Sequence, residues 1–342
     1  MKKIGIYFFV FWTLVGCGLF SNQFKSNVAI KDSAEVYVCL PTNATMEILL
    51  ESVKKTNVII DFGSFEKMAK SKNLDKKYKP GRYRLKNGMS NYDLIKLFKS
   101  GKQVTVKISF HYARTVNHLA GKLNGKLEAD STDLVNFWND YSTMKKLYDV
   151  DPPNIPMLFI PNTYDFYWNT DAKEFTDKIY KQYEKFWNDE RKAKAKKLGL
   201  TSAEVVTLAS IVQSEQSKIK EEWPIIARLY LNRLQMGMKL QADPTVIYAI
   251  GDFTITRVLE KHLAFESPYN TYLHEGLPPG PIMITEPECI DAVLDPDSNA
   301  YIYMCAKEDF SGKHNFTSSF SEHQKNAKKY QRELSKLENN SR

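Results

Sequence analysis

The sequence predicts an α+β protein in which an N-terminal membrane anchor precedes a small mixed module and a larger domain of helices and strands. Three observations carry that prediction. Residues 1–21 hold an uncharged, mostly apolar run from Ile4 to Phe20, residues 34–110 alternate strand-like and helix-like patterns across Pro-Gly and Asn-Gly turns, and the chain beyond is mostly helix-patterned with Pro- and Gly-rich loops. Apolar residues make up 43% of the 342 and charged residues 26%, a globular composition that excludes a disordered chain and leaves room for two or three packed units.

The anchor comes first. Lys2 and Lys3 precede an uncharged segment from Ile4 to Phe20, at the short end of what crosses a bilayer as a helix. Its basic tip would stay in the cytoplasm, giving a single-pass inner-membrane protein with the remainder in the periplasm. Two other readings compete: Leu14-Val15-Gly16-Cys17 resembles a lipobox that would lipidate Cys17, and a cleaved signal peptide would need a better cleavage site than Val15-Gly16-Cys17. Ser21 to Ala34 then reads as a polar stalk.

Within the first module, Glu35–Leu40 is rich in β-formers, and Met46, Leu49, Leu50 and Val53 recur at helical spacing. Phe65, Met68 and Ala69 mark a second helix, Pro80-Gly81 turns into a strand ending at Leu85, and a third helix runs from about Tyr92 to a stop at Gly101. Val104, Val106, Ile108 and Phe110 alternate as a half-buried strand. Residues 111–197 form a helical linker region. Its aromatic island, Phe159–Trp168, is read chiefly as core, with sugar stacking as the alternative. The run Lys192–Lys197 is read as a solvated helix face.

Charge and cysteine usage narrow the function. The net charge of +8 favours anionic lipid or cell-wall carboxylates. No zinc-finger or RNA-binding motif occurs, so no nucleic-acid partner is expected. Cys17, Cys39, Cys289 and Cys305 form no C-x-x-C pair, and the six histidines include no H-E-x-x-H, so neither a metal nor an organic cofactor is expected. A Cys289–Cys305 bridge is an open possibility.

The chemistry centres on one carboxylate. Thr201 and Glu204 make a capping-box signature for a helix whose Val205, Leu208, Ala209, Ile211 and Val212 bury one face. Glu215 continues that apolar face, seven residues after Leu208 and three after Val212, so its carboxyl is desolvated and its pKa raised. Glycosidases keep an acid protonated near neutrality in this way. The plainer reading makes Glu215 a fraying helix end paired with Lys218. Asp243-Pro244 reads as an N-cap with Pro in the first turn, or alternatively as a second carboxylate or sugar-binding group.

Several motifs in order resemble one family, the YceG-like (MltG) endolytic murein transglycosylases. They are Ala209–Glu215, Asn232-Arg233-Leu234, Gly237–Val246, Tyr269–Tyr272 and Gly276–Ile282, with Lys79–Tyr83, Pro161–Phe166, His314-Asn315-Phe316 and Glu322-His323 on either side. The likeness spans about residues 34–335. It implies a membrane anchor at residues 1–21, a LysM-like module at 34–110 and a catalytic transglycosylase domain at 111–335, with Glu215 as its acid. Family members often read Ile-Val-Glu-x-Glu-Thr where this chain has Gln213 and Gln216 around a single Glu215.

The resemblance also implies the substrate, peptidoglycan glycan strands, with peptidoglycan synthases as further partners. Glu215 would protonate the oxygen between N-acetylmuramic acid and N-acetylglucosamine. The muramyl 6-hydroxyl would then attack C1 with Glu215 as base, leaving a 1,6-anhydromuramyl end. Gln241, Asp243, Tyr269, Asn270 and Thr271 are the candidates for holding the sugar. An inverting muramidase with Asp243 as base, and a non-catalytic peptidoglycan-binding scaffold, are the rival classes. Deleting residues 1–21 is expected to give a soluble protein with an unchanged cooperative melt; aggregation with loss of the melt would place the apolar run in the core.

Overall fold

The strand signals at the two ends of the first module pair with each other. In the computed structural model, which describes residues 23–31 and 34–340, β1 (Val36–Leu40) and β2 (Gly81–Leu85) run antiparallel from Val36↔Leu85 to Leu40↔Gly81. Between them in sequence come α1 (Met46–Lys54) and α2 (Phe62–Ser71), and α3 (Asn91–Ser100) follows. Each helix starts on a cap: Thr45, Asp61 and Ser90 accept hydrogen bonds from backbone N–H groups three residues on. Gly101 closes α3 with φ 69°, a left-handed conformation that glycine adopts at least cost. Leu40, Leu49, Phe65, Tyr83, Leu94 and Phe98 fill one core.

The module is larger than residues 34–110. The stretch read as a polar stalk is partly built into it: Val28 is buried, and Asn27 is a buried polar knot. Asn27 Nδ2 donates to Asn91 Oδ1 (2.6 Å) and the Asp61 carbonyl (2.9 Å), while its Oδ1 accepts from the Asp61 N–H (2.7 Å). Polar residues there satisfy one another across long sequence separations, which local composition cannot reveal. The unit, which ends at Ile108, also takes back Leu123–Asp130 and Tyr164–Ala172. Glu128 accepts from the Thr42 N–H and hydroxyl at 2.6 and 2.7 Å.

β3 (Thr105–Phe110) pairs with β4 (Asn162–Tyr167) in a second two-stranded sheet. α4 (Val116–Leu123), α5 (Ser131–Asn139) and α6 (Tyr141–Tyr148) lie between them, as does a 3₁₀ segment at Pro152–Leu158. Within the aromatic island Phe159, Tyr164 and Phe166 are buried, as core packing requires, and Tyr167 is exposed. The second unit comprises Ser109–Lys122, Ser131–Thr163 and the chain from Lys173 onward. It includes α7 (Ala172–Phe186), α8 (Asp189–Leu198), α9 (Ser202–Glu215), α10 (Trp223–Gln235), α11 (Asp243–Ile250), the short α12 (Glu260–Leu263) and α13 (Pro287–Leu294). The hairpin of β5 (Tyr303–Ala306) and β6 (His314–Thr317) and the long α14 (Phe320–Asn340) complete it. The lysines of Lys192–Lys197 lie on α8 and are exposed, apart from Lys194, which pairs with Asp295 and Glu190.

α9 is the centre of this unit. The capping box forms as the spacing predicts, with Glu204 accepting from the Thr201 N–H at 2.7 Å and Thr201 Oγ1 from the Glu204 N–H at 3.2 Å. The helix is not amphipathic, however: every residue from Val205 to Gln213 is buried, so more than the one expected face is covered. α10 and α13 pack against it, and residues 282–289 are fastened along it. Ser210 Oγ accepts from the Ile282 N–H (3.0 Å), Gln213 Oε1 from the Glu286 N–H (2.8 Å), and Cys289 Sγ reaches the Ala209 carbonyl (3.3 Å). Just before this segment, a Cβ on Gly280 would lie 2.2 Å from the Pro153 carbonyl oxygen, so the Gly-Pro loop is shaped by a close approach that only glycine permits.

Cys39, Cys289 and Cys305 are free thiols, so the possible Cys289–Cys305 bridge is absent. Among the described residues no helix is long and apolar enough to cross a membrane; the run Ile4–Phe20 and Cys17 lie outside them. Ser210→Ala leaves the buried Ile282 N–H unpaired and is expected to lower stability by about 1–3 kcal/mol in urea unfolding; a change within about 0.5 kcal/mol would show that this tie does not hold the loop.

Candidate active site

Glu215 is the last residue of α9, where the buried helix reaches a cleft of about 230 Å³. Its Oε1 accepts a hydrogen bond from the Tyr230 hydroxyl at 2.8 Å. No ion pair with Lys218 forms. Two α10 side chains three residues apart, Tyr230 and Arg233, share the wall. Gln241 and Asp243 approach from the start of α11, Tyr272 from the loop that follows α12, and Cys305 and His314 from the β5–β6 hairpin.

The electrostatics favour a protonated acid. Burial pushes the Glu215 carboxyl from its usual 4.5 up to about 7; the Tyr230 hydrogen bond and the Arg233 charge pull down, and the Asp243 charge pushes up. The position at a helix C-terminus, the negative end of the dipole, works in the same direction as burial. Tyr230, itself buried, has its ionisation pushed well up by burial and by Glu215, so it stays a hydroxyl donor. Arg233 is fixed rather than free to follow a ligand: it donates to the Ile302 carbonyl (2.7 Å) and the Leu240 carbonyl (2.6 Å), and its guanidinium lies 5.7 Å from the Tyr303 ring centre.

Asp243 is not the cap of α11. Ala242 occupies that position and Asp243 is the first helical residue, with Pro244 next. Its carboxylate instead accepts from the Tyr272 hydroxyl at 2.5 Å and faces the cleft, at the helix end where negative charge is well placed. Gln241 has a left-handed backbone (φ 51°), costly for a side chain of this kind, which sets its exposed amide at the rim.

The other sequence candidates hold the frame. Asn270 is fully buried, its Nδ2 donating to the Leu263 and Phe265 carbonyls at 2.9 and 2.8 Å. Thr271 Oγ1 bonds Thr245 Oγ1 (2.9 Å) and accepts from the Ala242 N–H (3.0 Å), pinning the turn into α11. Tyr269 packs on Tyr248, ring centres 4.9 Å apart, and is not part of the cleft wall. Of the five proposed sugar-holding residues, then, Gln241 and Asp243 reach the cleft, and Tyr269, Asn270 and Thr271 shape the backbone behind it.

Glu222, which heads α10, is a buried carboxylate behind the cleft. Its Oε2 meets His314 Nδ1 (2.7 Å) and accepts from Gln216 Nε2 (2.9 Å), and its Oε1 accepts the His314 N–H (3.0 Å). Burial alone would raise its pKa; the hydrogen bonds from His314 and Gln216 outweigh it and hold the carboxyl below its ordinary value. Sequence reasoning assigned no role to Tyr230, Arg233, Tyr272, Glu222 or His314. The i, i+3 spacing of Tyr230 and Arg233 was a usable signal, whereas the Glu222–His314 contact joins residues 92 apart.

A profile of the YceG-like family matches residues 38–329. The chain belongs to the YceG-like family. A relative in Bacillus subtilis (strain 168), called endolytic murein transglycosylase, is 30% identical over 92% of this chain and 90% of its own length. A protein of the same name in Streptococcus pneumoniae serotype 2 is 26% identical over 90% of this chain, which spans 61% of that longer protein. The crystal structure of a YceG-like protein from Listeria monocytogenes superposes with a TM-score of 0.56 at 25% identity, covering 86% of this chain and 99% of that one.

The raised carboxyl of this YceG-like chain has a thermodynamic signature. Folding takes up a proton at Glu215 between about pH 4.5 and 7, so the stability of the native protein relative to Glu215→Gln falls as pH rises through that window and levels off above it. A relative loss of about 1–3 kcal/mol in paired urea unfolding curves is expected; parallel pH profiles for the two proteins would show that Glu215 ionises normally.

Proposed function

We propose that the protein is an endolytic lytic transglycosylase that cuts peptidoglycan glycan strands between N-acetylmuramic acid and N-acetylglucosamine. One observation carries the reading: a buried carboxyl, raised by desolvation to about 7, faces a polar cleft that other fixed polar groups share. The names of the relatives point the same way. Glu215 donates its proton to the glycosidic oxygen as the bond to C1 breaks. The carboxylate so formed then takes the proton of the muramyl 6-hydroxyl as that oxygen closes on C1. The products are a 1,6-anhydromuramyl end and a new N-acetylglucosamine hydroxyl, and Glu215 returns to its starting state.

The surroundings suit that cycle. Between the two proton transfers the buried carboxylate is supported by the Tyr230 hydroxyl and the nearby Arg233 charge. The ring nucleophile belongs to the substrate, so its effective concentration is high and no activated water is needed. Gln241 at the rim and Asp243 with Tyr272 would hold the sugars on either side of the break. The run Ile4–Phe20 would hold the enzyme at the cell membrane, near its substrate and the synthases that extend it, and the unit ending at Ile108 would serve as a LysM-like glycan-binding module.

Asp243 shares the cleft with Glu215, which gives a second reading: a hydrolase in which Asp243 activates water. The products separate the two, since hydrolysis leaves reducing ends and transglycosylation leaves anhydro ends. Glu215→Gln is expected to reduce release of anhydromuramyl ends from purified strands by at least 10²–10⁴-fold, while Asp243→Asn retains the anhydro product at a lower rate. Near-normal cleavage by Glu215→Gln, with Asp243→Asn inactive, would overturn the assignment.

A further inference from the structure

The cycle just described leaves His314 unused, although it lines the same cleft as Glu215. Its imidazole is held from behind. The Glu222 carboxylate accepts from the His314 backbone N–H and from Gln216 Nε2, and its Oε2 lies 2.7 Å from the ring Nδ1. Gln216 is in turn fixed at both ends of its amide: Nε2 also donates to the Gly312 carbonyl (2.9 Å), and Oε1 accepts from the Lys218 and Ile219 N–H groups (3.2 and 3.1 Å). Glu222 is 8% exposed at its side chain and His314 14%, so this is a supported ring with one edge toward the cleft. Nε2 has no hydrogen-bond partner among the described residues.

A carboxylate acts only as an acceptor, so Nδ1 must carry the proton that lies between them. In the neutral ring that assignment leaves Nε2 as a lone-pair acceptor. Donors in an amino-sugar strand are hydroxyls and the N–H groups of acetamides. Glu215 in its starting state donates, the Tyr230 and Arg233 donors are committed to Glu215 and to backbone carbonyls, and the Asp243 carboxylate already accepts from Tyr272, which leaves Nε2 as an uncommitted acceptor on the cleft wall.

On the reading of the cleft as a glycan-cleaving site, we propose that His314 is a substrate-orienting residue: Nε2 accepts a hydrogen bond from a hydroxyl or acetamide N–H of the bound strand, with Glu222 and Gln216 fixing the ring's tautomer and angle. Glu222 and Gln216 are therefore positioning residues that never touch the sugar.

Histidine-selective ¹⁵N labelling reads the tautomer directly, with His314→Gln identifying the signal among the six histidines. The neutral ring is expected to carry its proton on Nδ1, and an Nε2–H tautomer would overturn the proposal. In the Glu215→Gln protein, saturating purified glycan strands are expected to shift the His314 Nε2 resonance, and an unmoved resonance with strands bound would overturn it. Kinetically, His314→Ala should lose about tenfold in kcat/KM with its melting temperature kept. His314→Gln, whose amide oxygen can accept, should recover most of that loss. Equal losses in the two variants, or none in either, would count against the contact. If Glu215→Gln cleaves normally, the reaction assignment fails by itself, because the tautomer and the shift on binding are read without turnover.

Discussion

A carboxyl group at the end of a helix buried along its length has little surrounding water with which to share a negative charge, and the second unit is organised around that fact. α9 is covered by α10, α13 and the 282–289 segment, and its last residue opens on the cleft. Had Glu215 sat one turn earlier, it would have been sealed among Val205–Gln213 without access to a ligand. One turn later, water would have restored an ordinary acid. The Tyr230 hydroxyl offsets part of that burial by donating to the carboxyl, which lowers its pKa.

The rest of the unit supports that placement. Ser210, Gln213 and Ala209 tie the helix to residues 282–289 through groups that would otherwise be buried without partners. Asn270 and Thr271 perform the same service for the turn into α11, so that Gln241 and Asp243 are delivered to the cleft by a rigid backbone. Even Arg233 divides its guanidinium between two carbonyls, which fixes a positive charge near the carboxyls without closing an ion pair.

Much of this was legible in the residues. Periodicity located the helices and strands of the first module, capping chemistry located the start of α9, and the apolar spacing that ends in Glu215 located the buried carboxyl that opens on the cleft. What escaped notice was non-local. Asn27 looks like part of a polar tether until Asp61 and Asn91 are brought to it. Asn270 and Thr271 look like sugar-binding groups because hydrogen-bonding side chains in a loop read alike whether they face ligand or backbone. The capping role given to Asp243 failed by one position, and its carboxylate accepts from the Tyr272 hydroxyl instead of the helix's own N–H groups. Glu222 and His314 come together only through the packing of the β5–β6 hairpin, which no spacing rule anticipates.

The three thiols of the described chain carry one more consequence. Cys39, Cys289 and Cys305 are each unpaired, and Cys289 is sealed in the core, hydrogen-bonded to the backbone of α9. Among the described residues no covalent cross-link joins one element to another, so reduction breaks no bond that shapes the cleft.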